Sequence, residues 1–318
     1  MGELRWNHEG ISPLVLMRDE GAFLMIHTGI VGSFHGFRFI SCYIREKEKG
    51  EEMKMKRWKT LYAMLGVMLL VCGCQSVEAP AQDESEALLE RGYLVVGVDD
   101  TFAPMGFRDE NNELTGYDIE LARAVGEKLG VEMRFQTIDW SMKETELNAG
   151  NIDLIWNGYS ITESRRQQVA FSEPYLQNRQ LIITLADSDI RTRSDLAGRV
   201  VAVQKESSAL EAVMADEALS ASLQGGAPVE FDTNIDCFMD LEAGRSDAIV
   251  VDEVLARYVM SQRGIEQYNV LDEDFGSEEY GIGMRKSDQL LQQRINEAME
   301  QCEQDGTVAA LQAKWFGE

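Results

Sequence analysis

The chain has 318 residues, enough for two compact lobes, and its hydrophobic share of 44% and charged share of 27% are those of an ordinary globular protein. A net charge of −25 argues against nucleic acid as a partner, because phosphate binding needs clustered Lys and Arg. All three histidines lie in the first 52 residues and the five cysteines form no Cys-x-x-Cys pair, so we expect no metal site and no cofactor.

A second candidate start lies at Met53. Residues 53–73 have a basic beginning, an apolar run from Leu61 to Cys72 and small residues at the end, which is typical of a secretory signal. A transmembrane helix is the alternative, but it needs roughly 20 apolar residues. We interpret residues 1–52 as the product of a wrongly assigned start, because Lys49 to Glu52 can be encoded by a purine-rich run like a ribosome-binding site. A real but unstructured extension is the other possibility.

The segment Val71-Cys72-Gly73-Cys74 resembles the lipobox of bacterial lipoproteins. Cys74 is the better lipid acceptor, because the small Gly73 precedes it, whereas Val71 precedes Cys72. We therefore expect a secreted chain that begins at Cys74, carries palmitate or a similar lipid, and is anchored to the outer side of the cell membrane. Residues 74–87 are polar, contain Ala and Pro, and read as a flexible tether.

From residue 88 onward, short runs rich in Val and Ile alternate with amphipathic segments, as in parallel sheets with crossover helices. In one such segment the apolar residues share a helical face, and Gly130 is placed to end the helix. We predict strands at 94–98, 132–138, 153–157, 181–185, 200–203, 229–231, 248–251 and 280–284, and helices at 118–129, 140–149, 208–216, 234–244, 253–262, 287–304 and 306–316.

The run GYDIEL that starts at Gly116 resembles the signature of the polar amino-acid solute-binding family of ABC importers. The resemblance extends from Leu94 to Gly317 through the blocks VGVDDTFAPMGF, NGYSITESRRQQVAFSEPY, VVAVQKESSA, DAIVVDEV, YGIGM and KWFG. It implies an α/β fold of the type II periplasmic-binding-protein class, with two lobes, each a central β-sheet flanked by helices, and the ligand cleft between them. We expect lobe 1 at 88–178 plus 279–318, and lobe 2 at 179–278.

A polar loop follows the strand predicted to end at Asn157 and leads into a short helix. Arg165 lies in that helix, and its guanidinium fork can bind a planar carboxylate through two parallel hydrogen bonds. The resemblance implies that Arg165 binds the ligand's α-carboxylate, and that Gly158 and Ser160 contact the ammonium and carboxylate groups. The alternative is a solvated Arg165, like its neighbour Arg166.

Acidic residues end two predicted strands. The resemblance places at Asp252 the carboxylate that binds the ligand's ammonium; an N-cap of the next helix is the alternative. Asp99 would contact the ligand's side chain, a role for which Asp100 is the weaker candidate. Asp99, Asn157 and Gln204 together favour a polar ligand such as glutamine or cystine.

Two aromatic residues, Phe102 and Trp140, match positions where the family packs rings against the ligand's side chain. Ordinary core packing is the alternative for both.

Ser207 and Ser208 follow the VVAV strand, and Ser208 with Glu211 forms a capping-box pattern that leaves free amides at a helix start. The resemblance implies that Ser207 and Ser208 contact the ligand's α-carboxylate from the second lobe. An ordinary helix cap is the alternative. Cys237 and Cys302 fall in different predicted lobes, and we expect both to be free and buried.

The resemblance implies that the protein captures a free amino acid by hinge closure and delivers it, as a monomer, to the permease subunits of an ABC importer. Two other classes stay open. Secreted cyclohexadienyl dehydratases have a similar fold, but without histidine only Asp, Glu, Lys or Tyr remain to transfer protons here. A sensor domain would normally be fused to a membrane-spanning signalling region, which this sequence lacks.

Replacing Cys74 with Ser tests the lipid anchor. Because serine offers no thiol to acylate, we expect the variant to appear in the medium or to stay as an unprocessed precursor, as judged by fractionation and N-terminal mass spectrometry. Cys72→Ser is the matched control and should remain lipidated and membrane-bound. Unchanged processing and retention of Cys74→Ser would contradict the lipobox assignment.

Overall fold

The computed structural model describes residues 12–18, 22–28, 41–44 and 83–317. The chain divides into two units, 1–77 and 78–318. The predicted signal at 53–73 and the predicted lipid acceptor Cys74 lie outside the described residues. In the first unit, three strands form an antiparallel sheet: β1 (Ser12–Arg18), β2 (Ala22–Thr28) and β3 (Ser41–Ile44).

The second unit alternates strands and helices. Its strands are β4 (Tyr93–Val98), β5 (Thr101–Phe102), β6 (Gly106–Arg108), β7 (Leu114–Thr115), β8 (Glu132–Thr137), β9 (Leu154–Ile155), β10 (Ala170–Phe171), β11 (Leu176–Leu185), β12 (Val201–Gln204), β13 (Val229–Phe231), β14 (Ala248–Asp252), β15 (Tyr268–Tyr280) and β16 (Gly283–Met284). Its helices are α1 (Ser85–Glu90), α2 (Tyr117–Leu129), α3 (Lys143–Asn148), α4 (Glu163–Arg166), α5 (Ser208–Ala215), α6 (Glu217–Ser222), α7 (Asn234–Glu242), α8 (Glu253–Arg263), α9 (Gln289–Gln304) and α10 (Thr307–Phe316).

Two five-stranded sheets form the frame of this unit. Their strand orders are β10-β16-β9-β4-β8 and β13-β12-β14-β11-β15, and a small sheet β5-β6-β7 lies beside them. Three neighbouring strands in each large sheet are parallel, as predicted, but the other two join through antiparallel pairing. One strand in each sheet runs opposite to the rest: β11, on which the chain enters the second sheet, and β16, which follows its return to the first.

The apolar residues of the elements form the cores. The strand β4 buries Leu94, Val96 and Val98 completely. The helix α2 buries its apolar face and ends at Gly130, whose left-handed φ of 72° confirms the predicted stop.

Two long strands connect the sheets. The strands β11 and β15 pair antiparallel from Leu176 opposite Tyr280 to Leu185 opposite Tyr268. At the end near Tyr280 they also meet the first sheet's loops, because the Ile161 amide donates to the Glu279 carbonyl at 2.8 Å. The chain thus passes between the two sheets twice, through paired backbone. The predicted lobe boundaries fall inside these strands, and their positions stay a prediction.

The strand β15 was not predicted from residue 268 onward. The sequence YNVLDEDFGSEE has several acidic residues and a glycine, and it lacks a clear alternation of apolar residues. It becomes a strand because the backbone of β11 lies beside it and supplies the hydrogen-bond partners. The predicted strand 280–284 is correspondingly divided between the end of β15 and β16.

Gly116 allows a tight turn before α2. Its φ is 131°, and a Cβ there would lie 2.3 Å from the Met105 carbonyl oxygen. The close approach lets two amides at the start of α2 pair, since Tyr117 donates to Pro104 at 2.8 Å and Asp118 donates to Met105 at 2.9 Å. The first residue of the GYDIEL run therefore serves backbone packing.

Gly116→Ala should lower the free energy of unfolding by roughly 2–4 kcal/mol, because the new Cβ meets backbone as well as an unfavourable φ. The matched control is Gly150→Ala, where φ is also positive but no atom lies within 4 Å of the added Cβ. That variant should lose only about 1–2 kcal/mol. Urea unfolding measures both, and equal losses would show that φ alone decides the cost.

Candidate functional site

The eleven predicted ligand-binding residues line one narrow cavity between the two large sheets. The cavity has about 10 Å³ of free space, room for about one water molecule, so the two sides are closed on each other. The structure brings together Asp99, Phe102, Trp140, Asn157, Gly158, Ser160, Arg165, Gln204, Ser207, Ser208 and Asp252. Their role in binding a ligand stays a prediction, and an entering molecule requires the sides to separate.

The loop after β9 is held by a buried carboxyl group. Asp118 Oδ2 accepts the Gly158 amide at 2.7 Å and the Tyr175 hydroxyl at 2.9 Å. Burial raises the pKa of Asp118 to about 7. Gly158 itself has φ +59°, and a Cβ there would lie 2.7 Å from the Phe102 ring. Asp118, in the GYDIEL run, therefore positions a cavity residue without lining the cavity, a role the sequence did not reveal.

Arg165 is buried, unlike its exposed neighbour Arg166, so the solvated alternative is wrong for Arg165. The Thr162 hydroxyl accepts the Arg165 amide at 3.3 Å and caps α4. The guanidinium donates to the Ser160 carbonyl at 2.9 Å and to the Glu206 carbonyl, on the other side of the cleft, at 3.1 Å. Among the described residues, no carboxylate forms a salt bridge with this guanidinium.

Lys143 was not predicted, yet it is 1% exposed and lies beside Arg165. Its ammonium donates to the Glu206 carbonyl at 3.0 Å and lies 3.3 Å from the Glu144 carboxylate. Burial and, secondly, the charge of Arg165 lower the pKa of Lys143 to about 8. A lysine in the helix predicted at 140–149 reads as a solvated residue in sequence, so no local signal identifies it.

The two predicted aromatic residues differ in their packing. Trp140 packs edge-on against Tyr159 at 5.9 Å between ring centroids, and Phe102 packs against the Gly158 backbone. Each ring contributes to the wall of the cavity as well as to its surroundings. Both rings are therefore packed in the protein interior and also line the cavity.

One end of the cavity carries amide and carboxyl groups. Asp99 accepts from Thr101 with one oxygen and, with the other, from Gln204 Nε2 across the cleft at 2.9 Å. Burial raises the pKa of Asp99. Asn157 is 1% exposed, and neither atom of its amide has a hydrogen-bond partner among the described residues. A buried unpaired amide is costly, so this end of the cavity suits a polar group.

The helix cap on the second side differs from the prediction. Ser207, and not Ser208, is the N-cap of α5: its hydroxyl accepts the Leu210 amide at 3.1 Å. Glu206 has a positive φ of 50°, which turns the chain one residue earlier than the capping-box pattern implied. Ser208 is therefore free to face Ser160, with 2.9 Å between the hydroxyl oxygens. Glu211 accepts the Ser164 hydroxyl across the cleft instead of capping the helix.

Asp252 ends β14 and is 4% exposed. It occupies the N-cap position of α8, as the alternative reading held, but its side chain makes no capping hydrogen bond to that helix. Instead, Oδ1 accepts from Asn178 Nδ2 and from the Tyr280 hydroxyl, both at 2.7 Å. Burial, followed by the charge of Glu278, raises the pKa of Asp252.

The cavity thus places a buried cation on one side and a buried carboxyl group on the other. A small zwitterion with opposite charges has the complementary pattern. Among the residues 83–317 and the three short strands described, no group of three or more His, Cys, Asp or Glu could hold a metal ion. None of the described helices is long and apolar enough to span a bilayer.

Two sheets around a cleft, crossed twice by the chain, define the type II periplasmic-binding-protein class. Residues 94–318 match the model of the bacterial extracellular solute-binding proteins, family 3. The L-cystine-binding protein TcyJ of Escherichia coli K12 is 30% identical over 259 residues, which cover 80% of this chain and 95% of that protein. The arginine-binding extracellular protein ArtP of Bacillus subtilis is 28% identical over 269 residues, covering 82% and 98%.

Solved structures agree with these relatives. An ABC uptake transporter substrate binding protein from Streptococcus pneumoniae with bound histidine is 37% identical at a TM-score of 0.72, covering 74% of this chain and 97% of that one. The structure of Tv2483 bound to L-arginine is 32% identical at a TM-score of 0.69, covering 75% and 96%. The chain belongs to the bacterial extracellular solute-binding proteins, family 3, whose members here are polar amino-acid-binding proteins of ABC importers.

Lys143 provides a pH test of the site's burial. In the unfolded chain the pKa of Lys143 is roughly 10.4. In the folded protein it is lowered to about 8. Between the two values the unfolded state binds more protons, so the lysine's contribution to stability rises with pH. From about pH 8 to about pH 10, the unfolding free energy of wild type minus that of Lys143→Met should grow by on the order of 1–3 kcal/mol.

The matched control is Lys205→Met, which removes the same charge at an exposed ion pair with Asp232. The pKa of Lys205 is raised by that hydrogen bond, so its difference from wild type should not grow with pH. Urea unfolding at both pH values gives the two differences. Parallel behaviour of the two variants would mean that Lys143 is hydrated in solution.

Proposed function

We propose that this protein is the lipid-anchored, extracytoplasmic binding component of an ABC importer, and that it captures a polar amino acid without transforming it. The observation that carries the proposal is the buried guanidinium of Arg165, which has carbonyl oxygens but no carboxylate beside it among the described residues. A buried cation without a counter-charge is unfavourable, and the α-carboxylate of an amino acid supplies the missing anion.

The remaining contacts follow from the ligand's zwitterionic backbone. Asp252 takes the ammonium, and the Gly158 carbonyl and the hydroxyls of Ser160 and Ser208 complete the contacts from the two sides of the cleft. Ser207 holds the start of α5, so that its amides face the carboxylate. In the closed arrangement these groups already lie within reach of each other, since Ser160 and Ser208 are hydrogen-bonded across the cleft.

The ligand's side chain extends toward the end of the cavity that holds Asp99, Asn157 and Gln204. Carboxylate, amide and hydroxyl groups there discriminate against apolar side chains, because an apolar group would leave buried polar atoms unpaired. Phe102 and Trp140 supply the flat apolar walls. These contacts favour a polar ligand, and glutamine and cystine, our expectations from sequence, stand beside the arginine and histidine that similar proteins bind.

The proposed cycle is capture, closure and delivery. The strands β11 and β15 provide two continuous crossings that can bend while each sheet stays rigid. Closure buries the zwitterion between Arg165 and Asp252, and the closed monomer is then presented to the permease. An enzymatic role has weaker support. The two acidic residues of the cavity, Asp99 and Asp252, are each held in place by hydrogen bonds from neighbouring side chains, which suits the binding of a charged ligand.

Substitution of Arg165 tests the carboxylate anchor. A thermal-shift screen of the twenty amino acids and cystine identifies the ligand, and calorimetric titration then gives its Kd. Arg165→Ala leaves the ligand's carboxylate buried without its partner, which costs roughly 3–5 kcal/mol. The expected loss of affinity is about two to four orders of magnitude. Arg165→Lys should recover part of it, because lysine keeps the charge but not the fork.

The matched control is Arg166→Ala, one residue further along α4 and exposed. It removes the same charge and should change Kd by less than about threefold. Circular dichroism establishes that each variant is folded. Near-wild-type binding by folded Arg165→Ala would place the carboxylate anchor elsewhere.

A further inference from the structure

Glu278 was not predicted to belong to the site, yet it is hydrogen-bonded to residues of both sides. It lies on β15, two residues before Tyr280. Its Oε1 atom accepts from the Ser160 hydroxyl at 2.8 Å, from Asn178 Nδ2 at 2.6 Å and from Gln180 Nε2 at 2.8 Å. The Ser208 hydroxyl oxygen lies 3.4 Å from the same carboxylate oxygen and 2.9 Å from the Ser160 hydroxyl oxygen.

Asn178 joins Glu278 to the predicted ammonium site. The single Nδ2 atom of Asn178 donates to Asp252 Oδ1 at 2.7 Å and to Glu278 Oε1 at 2.6 Å. Two carboxyl groups thus share one amide nitrogen; Asp252 and Asn178 are buried, and Glu278 is half-buried. Two carboxylates so close cannot both ionise freely, because each disfavours the charge of the other.

The charged and titratable groups around the pair form no ion pair with it among the described residues, although Arg166 of α4 lines an outer pocket together with Glu278 and Glu279. The Tyr280 hydroxyl, also on β15, donates to Asp252. Arg165, on α4, lines the same cavity but is hydrogen-bonded to carbonyl oxygens, and Lys143 lies beyond it, donating to the Glu206 carbonyl. Asp99 adds a further acidic group to the cavity. No salt bridge joins Asp252 or Glu278 to a basic residue among those the structure describes.

We propose that Asp252 and Glu278, joined through Asn178, form a paired-carboxyl receptor that holds one proton and releases it to solvent when the ligand's ammonium binds. This rests on the proposed function. Asp252 contacts the ammonium, and Glu278 is a positioning residue that acts through Asp252, Ser160 and Ser208. The direction of the Asp252 pKa, raised by burial and then by Glu278, agrees with a proton retained by the pair.

The exchange balances in charge. Before binding, the pair carries one proton and one negative charge. When the ammonium enters, the proton leaves to solvent, and the ammonium's N–H groups replace it as donors to Asp252, while Glu278 stays ionised on the other side of the Asn178 amide. Protons therefore compete with the ligand. The Kd of the amino acid should rise by up to tenfold per pH unit as the pH falls through the range where the carboxyl pair is protonated.

The experiment measures Kd and the number of protons released, from about pH 5.5 to about pH 8, by calorimetry in buffers of different ionisation enthalpy. The probe is whichever of the twenty amino acids and cystine stabilises the protein most in the thermal-shift screen. For wild type we expect release approaching one proton per ligand at the lower pH values, and a Kd that rises as the pH falls.

Glu278→Gln removes one carboxyl and keeps the shape, so its proton release and pH slope should fall clearly below those of wild type, leaving only what the burial of Asp252 alone causes. Glu278→Asp retains a carboxyl group and should restore part of the slope. The matched control is Glu279→Gln: adjacent residues of a strand face opposite sides, and Glu279 accepts from Gln177 instead. Its slope should equal that of wild type.

Two results separate this inference from the function on which it rests. If the wild-type protein binds none of the amino acids, the proposed function is wrong and the paired receptor is wrong with it. If wild type binds an amino acid, but without proton release, or if folded Glu278→Gln retains the wild-type slope, the receptor alone is overturned. A slope that falls clearly in Glu278→Gln but not in Glu279→Gln supports it.

Discussion

The buried guanidinium of Arg165 is the group on which the rest of the site depends. Taking a cation out of water is unfavourable unless oxygen atoms surround it, and here the carbonyls of Ser160 and Glu206 supply part of that environment. One carbonyl belongs to each side of the cleft, so the same cation also links the two sides. The cap at Thr162 and the position of α4 after a polar loop orient the side chain toward the cleft.

The fold keeps this cation apart from the acidic groups that would otherwise pair with it. Arg165 follows the first sheet, whereas Asp252 ends a strand of the second, and the strands β11 and β15 set how the two approach. If Arg165 and Asp252 formed a direct pair, neither would be available for a ligand. Separation across a cleft leaves both groups available to the proposed zwitterionic ligand.

The acidic side of the cavity is also organised by the crossing strands. Asn178 on β11 and Glu278 on β15 are opposite each other in the register. The Asn178 amide donates to Asp252 and to Glu278. The crossing strands therefore carry polar groups of the cavity as well as the connection between the sheets. In the proposed cycle, bending at these strands would move Glu278 relative to Ser160 and Ser208.

The sequence by itself was sufficient for the class of fold, the family and the eleven cavity residues: buried Val- and Ile-rich strands and helix ends such as Gly130 are local patterns, and the blocks that resemble the family pointed to the cavity residues. The tertiary structure alone revealed Asp118, Lys143 and Glu278. Each is a charged residue that looks solvated in its own segment, and joins the cavity or its surroundings only because a distant element lies against it. The same reason explains why β15 escaped prediction and why Ser207 replaced Ser208 as the cap: pairing with β11 and the left-handed turn at Glu206 are set by backbone neighbours, which local residue patterns do not encode.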